Sequence, residues 1–286
     1  MVNKKLKIIK MKNLRSYGFN TENKTYIIAE IGINHNGSFE LAKKLIESAA
    51  RAGVDAVKFQ TYITEKRVQK DSPIFDILKK CEFSFDIFSK LKLYAENLNI
   101  DFFSTPFDDE SVDYLESINT KLYKIASFDV VNSKLLKKVS DTSKPIIMSV
   151  GMSNLDEIKS AYDILKFKTP NIALLHCVSS YPTNESDSNL ASIYKLKDSF
   201  DCIIGQSDHT NDIIVPLYAV CSGAQIIEKH YRIDSNMECV DSPVSISEYQ
   251  MKKLVVETRR IEKIMGSPEL NLRDCEKGAL TFRRKS

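Results

Sequence analysis

The chain has 286 residues, 43% hydrophobic and 28% charged, with 41 basic and 38 acidic side chains for a net charge of +3. This is ordinary globular composition with ample material for a core, and the small, evenly spread charge excludes the strong basic field of a nucleic-acid binder. No apolar run reaches the roughly 18 residues of a membrane span and no signal-peptide core opens the chain, so a soluble, cytoplasmic protein is expected. The six cysteines form no Cys-x-x-Cys pair and read as free thiols, several of them inside apolar runs.

Residues 1–24 carry weak periodicity and a Lys-rich start, and are expected to form an arm or short hairpin. A repeating grammar then begins. Tyr26 to Glu30 reads as a strand, after which Ser38 caps a helix with Ala42, Leu45, Ile46, Ala49 and Ala50 on one face and Gly53 at its end. Residues 55–60 form a second strand. An irregular stretch containing Pro73 leads to a helix opened by Ser84, with Ile87, Phe88, Leu91, Ala95 and Leu98 as its apolar stripe.

Residues 101–105 and 122–127 are strands three and four, joined by a short helix through Val112 and Leu115. Residues 145–151 make a fifth strand, and Ser153-x-x-Asp156 resembles a capping box before the stripe Ile158, Ala161, Tyr162 and Leu165. Strand six spans 172–177, seven 202–205 and eight 225–229, with a helix through Leu217 and Val220 between the last two. Pro216 leaves the start of that helix open. A final helix has Ser247-x-x-Gln250 as its capping box and ends at Gly266.

Eight strand-helix units in order point to an α/β fold, a TIM (β/α)8 barrel over residues 25–268, with 269–286 as a C-terminal tail. An open doubly wound sheet fits less well, because it usually has fewer strands and a Gly-rich first turn, which is missing. In such barrels chemistry gathers at the C-terminal strand ends. Those ends carry Glu30 with Asn34 and His35, Lys58 with Gln60, Thr105, Lys124 with Ser127, Ser149, His176 with Ser179 and Tyr181, Ser207 with His209, and Glu228 with His230.

All four histidines of the chain fall in this set. A lone histidine there is more often structural, but His209 and His230 end adjacent strands and could share a borderline divalent metal. The site would be weak and exchangeable, since two imidazoles alone do not make a structural one. Glu228 lies two residues before His230, so both point the same way. Two lysines among hydroxyls suit a phosphate-bearing anion, while a Schiff base on Lys58 or Lys124 stays open as a competing use.

Ordered motifs run over about residues 26–245: Ala29-Glu30-Ile31-Gly32-Ile33-Asn34-His35-Asn36-Gly37, Ala56-Val57-Lys58-Phe59-Gln60-Thr61, Phe103-Ser104-Thr105-Pro106-Phe107, Lys124-Ile125-Ala126-Ser127, His176 to Thr183, Ser207-Asp208-His209-Thr210 and Glu228-Lys229-His230. Together they resemble those of the sialic acid synthase family. The resemblance implies a barrel that condenses phosphoenolpyruvate with an N-acyl amino sugar such as N-acetylmannosamine, giving a nonulosonic acid for a surface glycan.

It further implies that His209 and His230 hold the metal, manganese first among Mn, Mg, Co, Fe and Zn. Lys58, Thr105, Lys124, Ser127, Ser149 and Ser207 would surround phosphoenolpyruvate, Glu30 would stand beside the reacting carbons, and Tyr181 and Asp241 would contact the sugar. Asn34, Gln60, Ser179 and Glu228 complete the expected site. The implied reaction is metal-assisted: the aldehyde is polarised, C3 of phosphoenolpyruvate attacks it, water captures C2 and phosphate leaves by C–O cleavage.

Two departures stand out. The family's Gly-Pro-Asp-His near the sugar end is replaced by Cys239-Val240-Asp241-Ser242-Pro243, so Ser242 takes the histidine's place. The family's C-terminal antifreeze-like domain, whose arginine reaches the partner subunit's sugar in a swapped dimer, has no counterpart before Ser286. Either that domain is naturally absent or it was cut away. Arg232, Arg283 or Arg284 would then be left to recognise the acceptor, and a homodimer is expected. The remaining alternatives are a related synthase acting on a sugar phosphate and a ligand-binding barrel without turnover.

Overall fold

The alternation along the strands decides what this fold presents to its mouth. The strands are β1 (Tyr26–Gly32), β2 (Ala56–Thr61), β3 (Asp101–Pro106), β4 (Tyr123–Ile125), β5 (Ile146–Ser149), β6 (Ile172–Cys177), β7 (Ile203–Asp208) and β8 (Ile226–His230). Each pairs in parallel with the next and β8 closes on β1, so the sheet is one closed barrel, the expected TIM-type α/β architecture. The computed structural model describes Arg15 and residues 24–284. Apart from Arg15 and Lys24, the arm or hairpin expected over 1–24 lies outside the described residues.

Every strand residue except half-buried Gln60 is buried, which is why these segments are short apolar runs and not half-polar alternations. Ile27, Ala29, Ile31, Val57, Phe59, Tyr123, Ile125, Met148, Leu174, Ile204 and Ile227 pack outward under the helices. Tyr26, Ile28, Ala56, Phe103, Ile147, Ala173, Leu175, Ile203 and Ile226 form a second cluster that fills the barrel. With a period of two, the inner rows continue upward into Glu30, Lys58, Lys124, Ser149, Cys177, Ser207, Glu228 and His230.

Gly205 occupies an inner row where a Cβ would run into the Ile226 carbonyl oxygen and the Leu175 side chain, so the barrel closes there only around a glycine. Gln60 and Thr105 share this inward parity, while Thr61, Ser104, His176 and Lys229 face outward. Thr61 bonds Ser104 at 2.7 Å, and Lys229, between inward Glu228 and His230, turns out to Asp208 at 2.6 Å.

Ten helices surround the described barrel: α1 (Phe39–Ala52), α2 (Thr64–Arg67), α3 (Phe75–Cys81), α4 (Phe85–Asn97), α5 (Asp109–Ser117), α6 (Ser133–Asp141), α7 (Leu155–Lys166), α8 (Ser192–Ser199), α9 (Ile214–Cys221) and α10 (Glu248–Met265). Ser38 caps α1 and Gly53 ends it at φ +83. The Ser247/Gln250 capping box opens α10. Pro216 falls in the first turn of α9, where its missing N–H costs nothing.

Two caps differ from expectation. The box before α7 is Asn154 with Glu157, one residue beyond Ser153, because an asparagine side chain reaches the first free amides directly. Ser84 precedes α4 but accepts no capping bond, its hydroxyl donating to Asp86 instead. The irregular stretch around Pro73 contains the short helices α2 and α3, too brief for periodicity to register. From residue 263 to 284 every residue is exposed. No described helix is long and apolar enough to cross a membrane.

Candidate active site

Two lysines and two glutamates meet at the bottom of the mouth. Lys58 Nζ lies 2.7 Å from Glu30 Oε2 and 3.7 Å from Glu228 Oε2, and donates to Thr105 Oγ1 at 3.0 Å. Lys124 Nζ donates to Ser149 Oγ at 2.6 Å and the Ile125 carbonyl at 3.1 Å, and lies 3.6 Å from Glu228 Oε1. Ser207 donates to Glu228 at 2.8 Å. All four charged groups are buried, so each is tolerated only because the others are present.

Their titration is split accordingly. Burial dominates at Glu30 and raises its pKa despite Lys58. Glu228 is also desolvated, but Lys124, Lys58 and the Ser207 hydroxyl outweigh that and hold it down to about 2. Burial lowers Lys124, whereas Lys58 is lifted against its own burial by Glu228 and Glu30. One carboxyl is thus pushed towards its neutral form beside another kept ionised, an arrangement that separates proton-handling from charge-balancing roles.

Above this layer stand the two imidazoles, ring centroids 5.3 Å apart, with Tyr181 4.1 Å from His209 and edge-on to His230. His209 Nδ1 is 2.8 Å from the Val178 carbonyl. A carbonyl only accepts, so Nδ1 carries the proton and in the neutral ring Nε2 has the lone pair, the state a metal ligand needs. His230 Nδ1 sits 3.3 Å from Asp241 Oδ2 and is buried without completing a hydrogen bond. Burial pulls the His230 pKa down, but Asp241 and Glu30 overcome it and leave it raised.

Among the described residues no group of three or more His, Cys, Asp or Glu is arranged to hold a metal. The two imidazoles could hold a borderline divalent ion only if water or substrate supplied its other ligands, an exchangeable arrangement.

Glu30, Lys58, Gln60, Thr105, Lys124, Ser127, Ser149, Tyr181, Ser207, His209, Glu228, His230 and Asp241 line a single cavity. Two other expected site residues do not. Asn34 is wholly buried beneath the mouth; it donates to the Tyr231 carbonyl and Ser245 Oγ and accepts from the Asp241 amide at 2.9 Å, so it pins the loop that carries Asp241. Ser179 lies beside a neighbouring cavity between β5 and β6, together with His176.

The histidine clustering is also narrower than the strand ends indicate. His176 has outward parity and bonds the Ser188 carbonyl at 2.7 Å. His35 is stacked on Phe83 at 4.0 Å, and burial lowers its pKa to about 3. Ser242 holds its own turn through Cys239, Arg232 donates to the Met237 carbonyl, and Arg283 and Arg284 lie on the exposed tail. None of these four lines the cavity.

Beside apolar Ile33, Phe107, Ala126 and Phe128, two residues with reactive or charged groups join that had not been assigned to the mouth. Cys177 continues the inner row of Ala173 and Leu175, a parity legible in the sequence, and its Sγ lies 3.8 Å from His209 Nδ1. Arg67 arrives on α2, a one-turn helix inside the stretch read as irregular. No sequence signal marked it.

A closed barrel whose mouth sets two lysines and a ring of hydroxyls beside a pair of imidazoles has the layout of a barrel enzyme. The chain belongs to the NeuB family, which it matches over residues 45–269, and is a sialic-acid-type synthase, an enzyme of the transferase kind.

It is 40% identical to the N,N'-diacetyllegionaminic acid synthase of Campylobacter jejuni, covering 92% of this chain and 84% of that protein. It is 43% identical to an uncharacterized protein of Methanocaldococcus jannaschii, over 92% and 78% of the two chains. In structure it is similar to the N-acetylneuraminic acid synthetase of Leptospira borgpetersenii in complex with citrate, with a TM-score of 0.89, 41% identity and coverage of 92% and 93%.

Proposed function

We propose that this barrel condenses phosphoenolpyruvate with the open-chain aldehyde of an N-acyl amino sugar, forming a nonulosonic acid and releasing phosphate. The observation that carries this reading is the stacking of two half-sites in one mouth: Lys58, Lys124, Thr105, Ser127, Ser149 and Ser207 below, His209, His230, Tyr181 and Asp241 above. The lower group neutralises and orients an anionic enol ester. The upper group receives a polar aldehyde. The names of the relatives, which make legionaminic and neuraminic acids, agree with such a product.

C3 of the enol forms a bond to the aldehyde carbon, and C2 is left electron-poor. Water adds to C2 as Glu30 takes one of its protons, which ends on the aldehyde-derived oxygen as the new hydroxyl, and the second leaves with phosphate as the C2–O bond breaks to give a 2-keto acid. Lys58, 2.7 Å from Glu30, stabilises the carboxylate before that proton arrives, and Ser207 with Glu228 keeps Lys58 and Lys124 charged. The mouth excludes bulk water from the developing charge. His209 and His230 would hold the divalent ion, manganese by preference, whose chemistry when bound is polarisation of the aldehyde oxygen.

The test is phosphate release from phosphoenolpyruvate with a panel of aldoses, with and without chelator. Release that needs an N-acyl amino sugar and is lost with chelator supports the reading. Release only with sugar phosphates points to a related synthase, and binding of phosphoenolpyruvate with no release from any aldose points to a barrel without turnover.

A further inference from the structure

The reaction outlined above leaves one charged group of the mouth unused. Arg67 closes α2, which is fixed at its start by two bonds from neighbouring elements: the Ile63 amide to Asp108 at 2.8 Å and the Thr64 amide to Glu82 at 2.8 Å. The guanidinium lies on the face of Phe107, 3.7 Å from the ring centroid, and 4.7 Å from that of Tyr62. Its Nη1 donates to Gln60 Oε1 at 2.9 Å, and Gln60 Nε2 in turn faces Glu30 Oε1 at 3.3 Å.

A guanidinium has five N–H donors in a planar fork. Among the described residues only Gln60 accepts from it, so the other donors are left for whatever enters the mouth. A side chain stacked on an aromatic face and anchored by a pinned helix is held in place before the ligand arrives.

The surroundings narrow the class of ligand. Arg67 is buried, with Asp129, Asp241 and Glu30 in electrostatic reach but none of them paired with it among the described residues, so a doubly charged phosphoryl group at this guanidinium would also face three nearby carboxylates. Ile33, Phe107 and Phe128 line the same cavity. A donor fork set among apolar side chains suits a neutral carbonyl with a small alkyl group attached.

We propose that Arg67 is the specificity-determining residue for the acceptor, donating to the carbonyl oxygen of its acylamido group and favouring this neutral sugar over a phosphorylated one. The inference rests on the reading of the mouth as a sugar-aldehyde site.

The experiment measures wild type, Arg67→Ala and Arg67→Lys against N-acetylmannosamine, mannose and N-acetylmannosamine 6-phosphate, by calorimetric binding at saturating phosphoenolpyruvate and by phosphate release. The wild type should bind N-acetylmannosamine best. Arg67→Ala should weaken that sugar about 10- to 100-fold, the usual loss for a hydrogen bond to a charged donor, leaving mannose, which has no acylamido group, within about twofold, and lowering phosphoenolpyruvate affinity by no more than about fivefold, the effect of one charge several ångströms away. Arg67→Lys keeps the charge without the fork, so it should still lose most of the discrimination, and it serves if the alanine variant does not fold.

Equal losses for mannose and for phosphoenolpyruvate would overturn the proposal, leaving Arg67 as a support for Gln60. So would a wild-type preference for the 6-phosphate that vanishes in Arg67→Ala. Absence of turnover with every aldose would refute the condensation, while the claim for Arg67 would still be decided by the binding titrations. Failure to bind any of the three sugars overturns both.

Discussion

Replacing Glu30 by Gln removes one negative charge from a mouth that sets two lysines against two glutamates and changes almost nothing else. Lys58 loses its 2.7 Å ion pair but keeps Thr105 at 3.0 Å and Glu228 at 3.7 Å, and the amide still fits beside Gln60. With one more net positive charge, phosphoenolpyruvate should bind as well as before or more tightly, by on the order of 1 kcal/mol for a charge several ångströms away. Turnover should fall by about 10²- to 10⁴-fold, the usual contribution of a positioned base, equivalent to about 3–5 kcal/mol in barrier.

The pH profile gives a second reading of the same residue. Glu30 works as a base only when ionised, and burial raises its pKa. Wild-type kcat/KM should therefore fall with decreasing pH through a limb above the ordinary carboxylate range, and Glu30→Gln should lack that limb. The assay is phosphate release in the steady state alongside calorimetric titration of phosphoenolpyruvate. A Glu30→Gln enzyme within tenfold of wild-type turnover, or one that no longer binds phosphoenolpyruvate, would refute the assignment.

Asn34→Ala unties the loop under Asp241, leaving the Tyr231 carbonyl and the Asp241 amide without their partner while Ser245 keeps its bond to the Asp241 carbonyl; thermal melts should show a loss of about 2–4 kcal/mol, with KM raised for the sugar and not for phosphoenolpyruvate. His35 is neutral in the fold, with a pKa of about 3, while the unfolded chain takes up its proton near pH 6.5. Stability should drop as pH falls below about 6.5, by about 2 kcal/mol at pH 5. Urea titrations of His35→Asn should lack that part of the acid sensitivity.

Lys124 is lowered by burial, yet its ammonium donates to Ser149 and the Ile125 carbonyl. Borohydride added with phosphoenolpyruvate or pyruvate should leave the protein mass unchanged, and an adduct at Lys124 would establish the Schiff-base alternative.

The barrel was legible because its strands are buried on both faces and its long helices are amphipathic, so apolar runs and stripes alternate without interruption. The inner rows were legible for the same reason: once Ile28 and Ala56 face in, Glu30 and Lys58 must follow. That rule also excludes His176 and admits Cys177, a parity that outranks mere position at a strand end. What could not be read came from segments without a period. Asn34 follows the register shift after Glu30 and turns back under the mouth, and Arg67 is delivered by a single helical turn whose place is set by distant Asp108 and Glu82.

The central claim is that the lower and upper halves of this mouth hold the two partners of one carbon–carbon bond. The direct measurement is a product mass spectrum from phosphoenolpyruvate labelled with ¹⁸O in its C2–O–P bridge, incubated with N-acetylmannosamine and manganese. The account predicts a nonulosonic acid without the label, with the ¹⁸O in the released phosphate and no product after chelation. Label retained in the product would place the cleavage at the P–O bond and contradict capture of water at C2, and the absence of any coupled product would contradict the account as a whole.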